Sequence, residues 1–125
     1  MKKALIIIGI LVLCGIIFVG SVHLFGRHIF NTRSCEVFNI DNIELRTGFN
    51  IPEVTSTECQ CNNDKKVSKF IISTEHLDVN KYIKSNNLKL VDNLYIKEHD
   101  NEYSTYKVIF DKETSELTVN LTYKK

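Results

Sequence analysis

The residues best suited to chemistry in this chain are four cysteines, and two of them, Cys59 and Cys61, stand one residue apart in "ECQCNNDKK". Paired thiols serve three chemistries: metal ligation, a redox couple, or a disulfide. A structural zinc site takes four ligands, usually from two pairs at Cys-x2-Cys-like or His-x3-His-like spacing. Cys-x-Cys with a distant Cys35 and scattered His76 and His99 has no such spacing, so no metal is expected. A thioredoxin-type couple is Cys-x-x-Cys at the start of a helix, whereas this pair falls near the end of a predicted strand. There, alternation turns both thiols to one face, ill placed to bond each other and well placed to offer a third thiol two choices. Cys35 is that third thiol. A Cys35–Cys59 or Cys35–Cys61 bond would close a loop of about 25 residues, worth ~3 kcal/mol by chain entropy. One outer cysteine is then left over, either buried as a small hydrophobe or joined to another molecule.

No catalytic arrangement accompanies these thiols. The sequence has no Gly-rich phosphate loop, His-Glu-x-x-His, Gly-x-Ser-x-Gly or nucleotide fingerprint. His23, His28, His76 and His99 have no partner at a diagnostic spacing. The expectation is a protein that is not an enzyme, with no cofactor and no small-molecule substrate. "YIKEHDNEYSTY" is the other segment with binding character, because tyrosines anchor interfaces and acidic groups steer basic partners. Its candidate partner-binding residues are Tyr95, Glu98, Asp100, Glu102, Tyr103 and Tyr106. The competing reading is a solvated hairpin tip with ordinary strand tyrosines.

These residues follow an unusual leader. From Ala4 to Phe25 the chain has no Asp, Glu, Lys or Arg, and about 22 residues at ~1.5 Å each suffice to cross a ~30 Å hydrocarbon layer. The apolar run is longer than a signal-peptide core, and Val19-Gly20-Ser21 is a poor cleavage site. Cys14 follows Leu13 and precedes further apolar sequence, unlike a lipid-bearing cysteine. Residues 1–25 therefore read as a retained transmembrane signal-anchor, 26–33 ("GRHIFNTR") as a basic stalk, and 34–125 as an external domain. Lys2 and Lys3 bias the N-terminus to the cytoplasmic side, and the three outer cysteines fit an oxidising exterior. The expected place is the inner (cytoplasmic) membrane, with a single pass at residues 4–25 and a periplasmic or extracellular domain. Beyond the span, the chain's 16 basic residues less Lys2 and Lys3 leave 14 against 15 acids. That balance gives no basic face for nucleic acid.

The external part reads as α+β. Asp41 and Glu44 form a capping box, Ile40 and Leu45 a hydrophobic staple, and Gly48 a stop, predicting a two-turn helix that docks through Ile43, Leu45, Phe49 and Ile51. Segments 53–61 and 67–75 flank "NNDKK" as a hairpin, with Phe70, Ile72 and Thr74 on one face. "HLDVNKYIKSNN" predicts a helix capped by Asp78, with Val79, Tyr82 and Ile83 inward. Leu94 and Ile96, then Tyr106, Val108 and Phe110, then Leu117, Val119, Leu121 and Tyr123 alternate with polar residues, predicting strands oily on one face. The architecture expected is a small two-layer domain: an antiparallel sheet of about five strands with two helices on one face.

The stretch "FNIDNIELRTGFNIPEV" resembles the start of small bacterial membrane-anchored exported proteins of the toxin-immunity type, in which a short helix, a Thr-Gly turn and an Ile-Pro pair lead into a hairpin. The resemblance spans about 20 residues and carries over no functional residue. It implies a protein partner, such as a secreted toxin, neutralised in the periplasm or at the membrane by a tethered, non-catalytic binding domain. The rival reading is a structural accessory subunit of an envelope complex, its span packing through Gly9, Gly15 and Gly20.

Overall fold

The computed structural model describes Met1–Lys124. A single helix, α1 (Lys2–Asn31), opens the chain. It is apolar enough to cross a membrane, with a mean hydropathy of 3.0 over its best window and none of that window buried against the rest of the molecule. It continues past Phe25 to Asn31, so most of the segment read as a stalk is helix rather than linker. Nothing in 26–31 breaks a helix, since Gly26 is tolerated where its neighbours are helical.

After a seven-residue connector come α2 (Asn39–Thr47), the hairpin β1 (Val54–Asn62) and β2 (Lys65–Ile72), α3 (Val79–Ser85), and the strands β3 (Lys89–Val91), β4 (Leu94–Asp100), β5 (Ser104–Asp111) and β6 (Glu116–Tyr123). The strands form one antiparallel sheet in the order β1-β2-β6-β5-β4-β3. The α+β class holds, with six strands where about five were expected. The additional one is the three-residue β3, which pairs only with β4 and is too short to show an alternation.

One face of the sheet carries Phe70 and Ile72 of β2, Val108 and Phe110 of β5, and Leu117, Val119 and Leu121 of β6, all buried with Ile43, Phe49 and Ile51 from the α2 region and Tyr82 and Ile83 of α3. The alternation read in β5 and β6 is the observed one. β4 is read in the wrong phase: Tyr95 stands opposite Phe110 and packs on the core, while Leu94 and Ile96 lie partly buried on the outer side. A one-residue change of phase exchanges the faces of a strand, and the three consecutive apolar residues Leu94, Tyr95 and Ile96 give no internal cue to choose between them.

Helix α2 begins earlier than its capping box implies. Phe38, in the left-handed region at φ 53°, is the N-cap, and Asp41 lies within the first turn. The Glu44 carboxylate instead accepts from the Ile51 backbone N–H at 3.1 Å. Leu45 is 51% exposed and neither docks nor staples. Gly48 does stop the helix, at φ 70°, where a residue lacking Cβ is favoured, and its N–H reaches the Glu44 carbonyl at 2.8 Å. Asp78 caps α3 as expected, accepting from the Lys81 N–H at 3.1 Å. Thr74 lies beyond β2 and is exposed, so the oily face of that strand ends at Ile72.

Candidate functional site

The core side of β2 repeats with period two, and its polar members matter most. Cys59 faces Ser68 and Cys61 faces Lys66 across the hairpin. β1 is an edge strand, so its two thiols lie at the rim of the sheet, where the connector carrying Cys35 passes over them. The Sγ atoms of all three cysteines lie within 4.8 Å of one another. Cys35 is in bonding contact with both Cys59 and Cys61, its Cα 5.5 Å from the first and 6.2 Å from the second. Both spans suit a disulfide, but one sulfur forms only one such bond, so the two pairings are alternatives. The two strand thiols remain 3.9 Å apart, as their shared face requires. Cys14 lies apart, exposed on α1.

Deeper on the same face is a polar cluster that the sequence reading missed. Lys66 is 1% exposed and Asn42 is fully buried. The Asn42 carboxamide oxygen accepts from Lys66 Nζ at 3.0 Å and from the Tyr123 hydroxyl at 2.8 Å. Its nitrogen donates to the carbonyls of Ile29 and Phe30 at 2.8 and 3.0 Å. Arg46, one turn further along α2, donates from Nε to the Phe30 carbonyl at 2.7 Å and lies over the Phe30 ring. The last carbonyls of a helix have no partner within it and carry the negative end of its dipole. Here α2 supplies those partners from outside, and two cations stand near the same end. Burial pushes the Lys66 amine down to about 8, helped by the charge of Arg46. Burial likewise pushes the Tyr123 phenol up to about 12, against the opposing pull of Arg46 and Arg33. A polar parity on an otherwise oily strand, Lys66-x-Ser68-x-Phe70, is the one sequence signal that marks this cluster.

Arg33 completes the joint from the connector. Its guanidinium donates to the Asn63 carbonyl at 3.1 Å, pairs with Asp64 at 3.3 Å in the β1–β2 turn, and lies over the Tyr123 ring. The end of the apolar helix is thus held to α2 by hydrogen bonds, and the connector after it is held to the β1–β2 hairpin by an ion pair and the sulfur cluster.

The six residues expected to bind a partner do not form one surface. Tyr106 is 3% exposed and belongs to the core side, and Tyr95 is half-buried against the same core. Both are structural tyrosines, as strand parity with Val108 and Phe110 dictates. Glu98 and Asp100 lie on the opposite, outer face, beside Thr105, Lys107, Asn120 and Thr122, around a shallow depression of about 460 Å³. Glu98 pairs with Lys107 at 3.1 Å. Asp100 is held below the usual carboxylate range by its hydrogen bond from Lys124. Glu102 is exposed in the β4–β5 turn, and Tyr103 is 51% exposed with its ring edge-on to Phe30 near the end of α1. Four of the six remain at the surface, divided between the sheet's outer face and the helix joint. No protein-family model matches this chain, and no curated protein or solved structure matches it.

Proposed function

We propose that this protein is a membrane-tethered, non-catalytic binding domain, and specifically an immunity protein that neutralises an antibacterial toxin in the periplasm or at the membrane. In this reading α1 spans the inner membrane with its N-terminus inside, and the sheet domain stands outside. The observation that carries it is the outer face of the sheet. Glu58, Gln60, Lys69, Thr105, Lys107 and Asn120 lie on that face with no helix over them, so a broad surface of alternating charge and hydroxyl is free to meet a protein. Both signs of charge occur there, which favours a partner selected by complementary charge rather than by apolar burial. Attachment to the bilayer holds that surface where a membrane-directed toxin acts and raises its effective concentration there.

The test is genetic and then physical. Deleting the gene in cells exposed to the toxin encoded beside it should abolish survival, and restoring the chain with Lys69→Glu and Lys107→Glu together should fail to rescue although the protein accumulates. Survival unchanged by the deletion sinks the reading.

A further inference from the structure

The three outer cysteines hold an odd number of sulfurs in one cluster, so any single disulfide leaves a thiol beside it. Hydrogen bonds distinguish the members. Cys59 is half-buried, and its Sγ accepts from the Ser68 hydroxyl at 3.5 Å; Ser68, fully buried, in turn accepts from Asn39 Nδ2 at 3.1 Å. Cys61 is exposed, and its Sγ lies 3.2 Å from the Arg33 carbonyl. A carbonyl only accepts, so Cys61 can use that contact as a thiol donor when it is not bonded to Cys35, whereas the Ser68 contact suits a sulfur without a proton. We propose that the cluster is a thiol–disulfide exchange centre in which Cys35–Cys59 is the resting bond and Cys61 is the exposed attacking thiol.

Two reactions follow. Within the chain, Cys61 gives its proton to solvent base and its thiolate attacks Cys35; the Cys35–Cys61 bond forms, the Cys35–Cys59 bond breaks, and Cys59 leaves as a thiolate that meets the Ser68 hydroxyl. One disulfide and one thiolate are present before and after, so no oxidant is needed. Toward another molecule, the Cys61 thiolate attacks an external disulfide, forming a mixed disulfide and releasing the other half as a thiolate. The substrate class is therefore an accessible disulfide, of a protein or a small molecule. The cysteine spacing supports this arrangement: alternation keeps Cys59 and Cys61 from bonding each other while both reach Cys35. This inference does not depend on the immunity reading, because it concerns only the oxidised chain.

The experiment uses the full chain in detergent, carrying Cys14→Ser so that only the outer sulfurs report, with dithiobis(nitrobenzoate) as the external disulfide. One equivalent of thionitrobenzoate per chain is expected, with the adduct on Cys61. Slow alkylation at pH 8 followed by acid quench and peptide mapping should place the label on Cys61 and, in a smaller share, on Cys59. Adding Cys61→Ser should remove the reactive thiol and keep Cys35–Cys59; adding Cys59→Ser should also leave no reactive thiol, because Cys35–Cys61 forms instead. Three reactive thiols in the air-oxidised chain, or none, overturn the proposal. So does label confined to Cys61 after long incubation, or a Cys59→Ser chain that reacts at two positions. One zinc per chain retained with all three thiols protected also overturns it, assigning the cluster to metal.

Discussion

Asn42 is the residue on which most of the joint depends, since its one carboxamide serves two helix carbonyls, an amine and a phenol. Replacing it with Ala leaves several buried polar groups without partners, each costing about 1–3 kcal/mol. Asn42→Ala should therefore lower the unfolding free energy by roughly 2–4 kcal/mol, read as a fall in the thermal midpoint of the detergent-solubilised chain. Lys66 makes the opposite case. The folded chain holds its amine near 8 against an ordinary value of 10.5, so between those limits the unfolded state binds the extra proton and stability rises with pH. Tyr123 reverses the trend above pH 10, where the unfolded phenol ionises first while the folded one is held up to about 12. A stability maximum near pH 10 follows. Lys66→Met should flatten the rise between about 8 and 10 and stabilise the protein at neutral pH by on the order of 2 kcal/mol. A melting curve for Lys66→Met that keeps the wild-type slope would place the proton elsewhere.

At the scale of elements, the legible features were those set by local chemistry. The Asp78 cap, the Gly48 stop and the alternation of β5 and β6 are determined within a few residues, and so was the shared face of Cys59 and Cys61, which brought the three sulfurs together. What was not legible depends on residues distant in sequence. Nothing near Lys66 announces that Asn42 and Tyr123, 24 residues before it and far after it, will meet its amine. The phase of β4 is fixed by its register with β5, not by its own composition, which is why Tyr95 read as a binding residue yet packs against the core; Tyr106 follows the alternation of β5 and is buried with it. Gly48 offers a test of the local kind. At φ 70° with nothing within 4 Å of a Cβ, Gly48→Ala meets no clash and costs only the strain of the left-handed region, about 1 kcal/mol. A domain of this size should show that as a fall of roughly 4–8 °C in midpoint; a neutral result would mean that α2 can end another way.

For the whole molecule, the proposed topology makes its own prediction. A membrane-impermeant amine-reactive ester applied to spheroplasts should modify the exposed Lys69, Lys81 and Lys84 as completely as it does after lysis. Labelling that requires lysis would put the sheet on the cytoplasmic side, where disulfides rarely persist. The joint between helix and sheet adds a mechanical consequence. With the carbonyls of Ile29 and Phe30 gripped from α2 and Arg33 fastened to the β1–β2 turn, the domain has no slack leash on which to roam. In the proposed topology its height and tilt above the lipid would follow from how α1 sits, and a pull on the sheet would be felt as leverage on the helix.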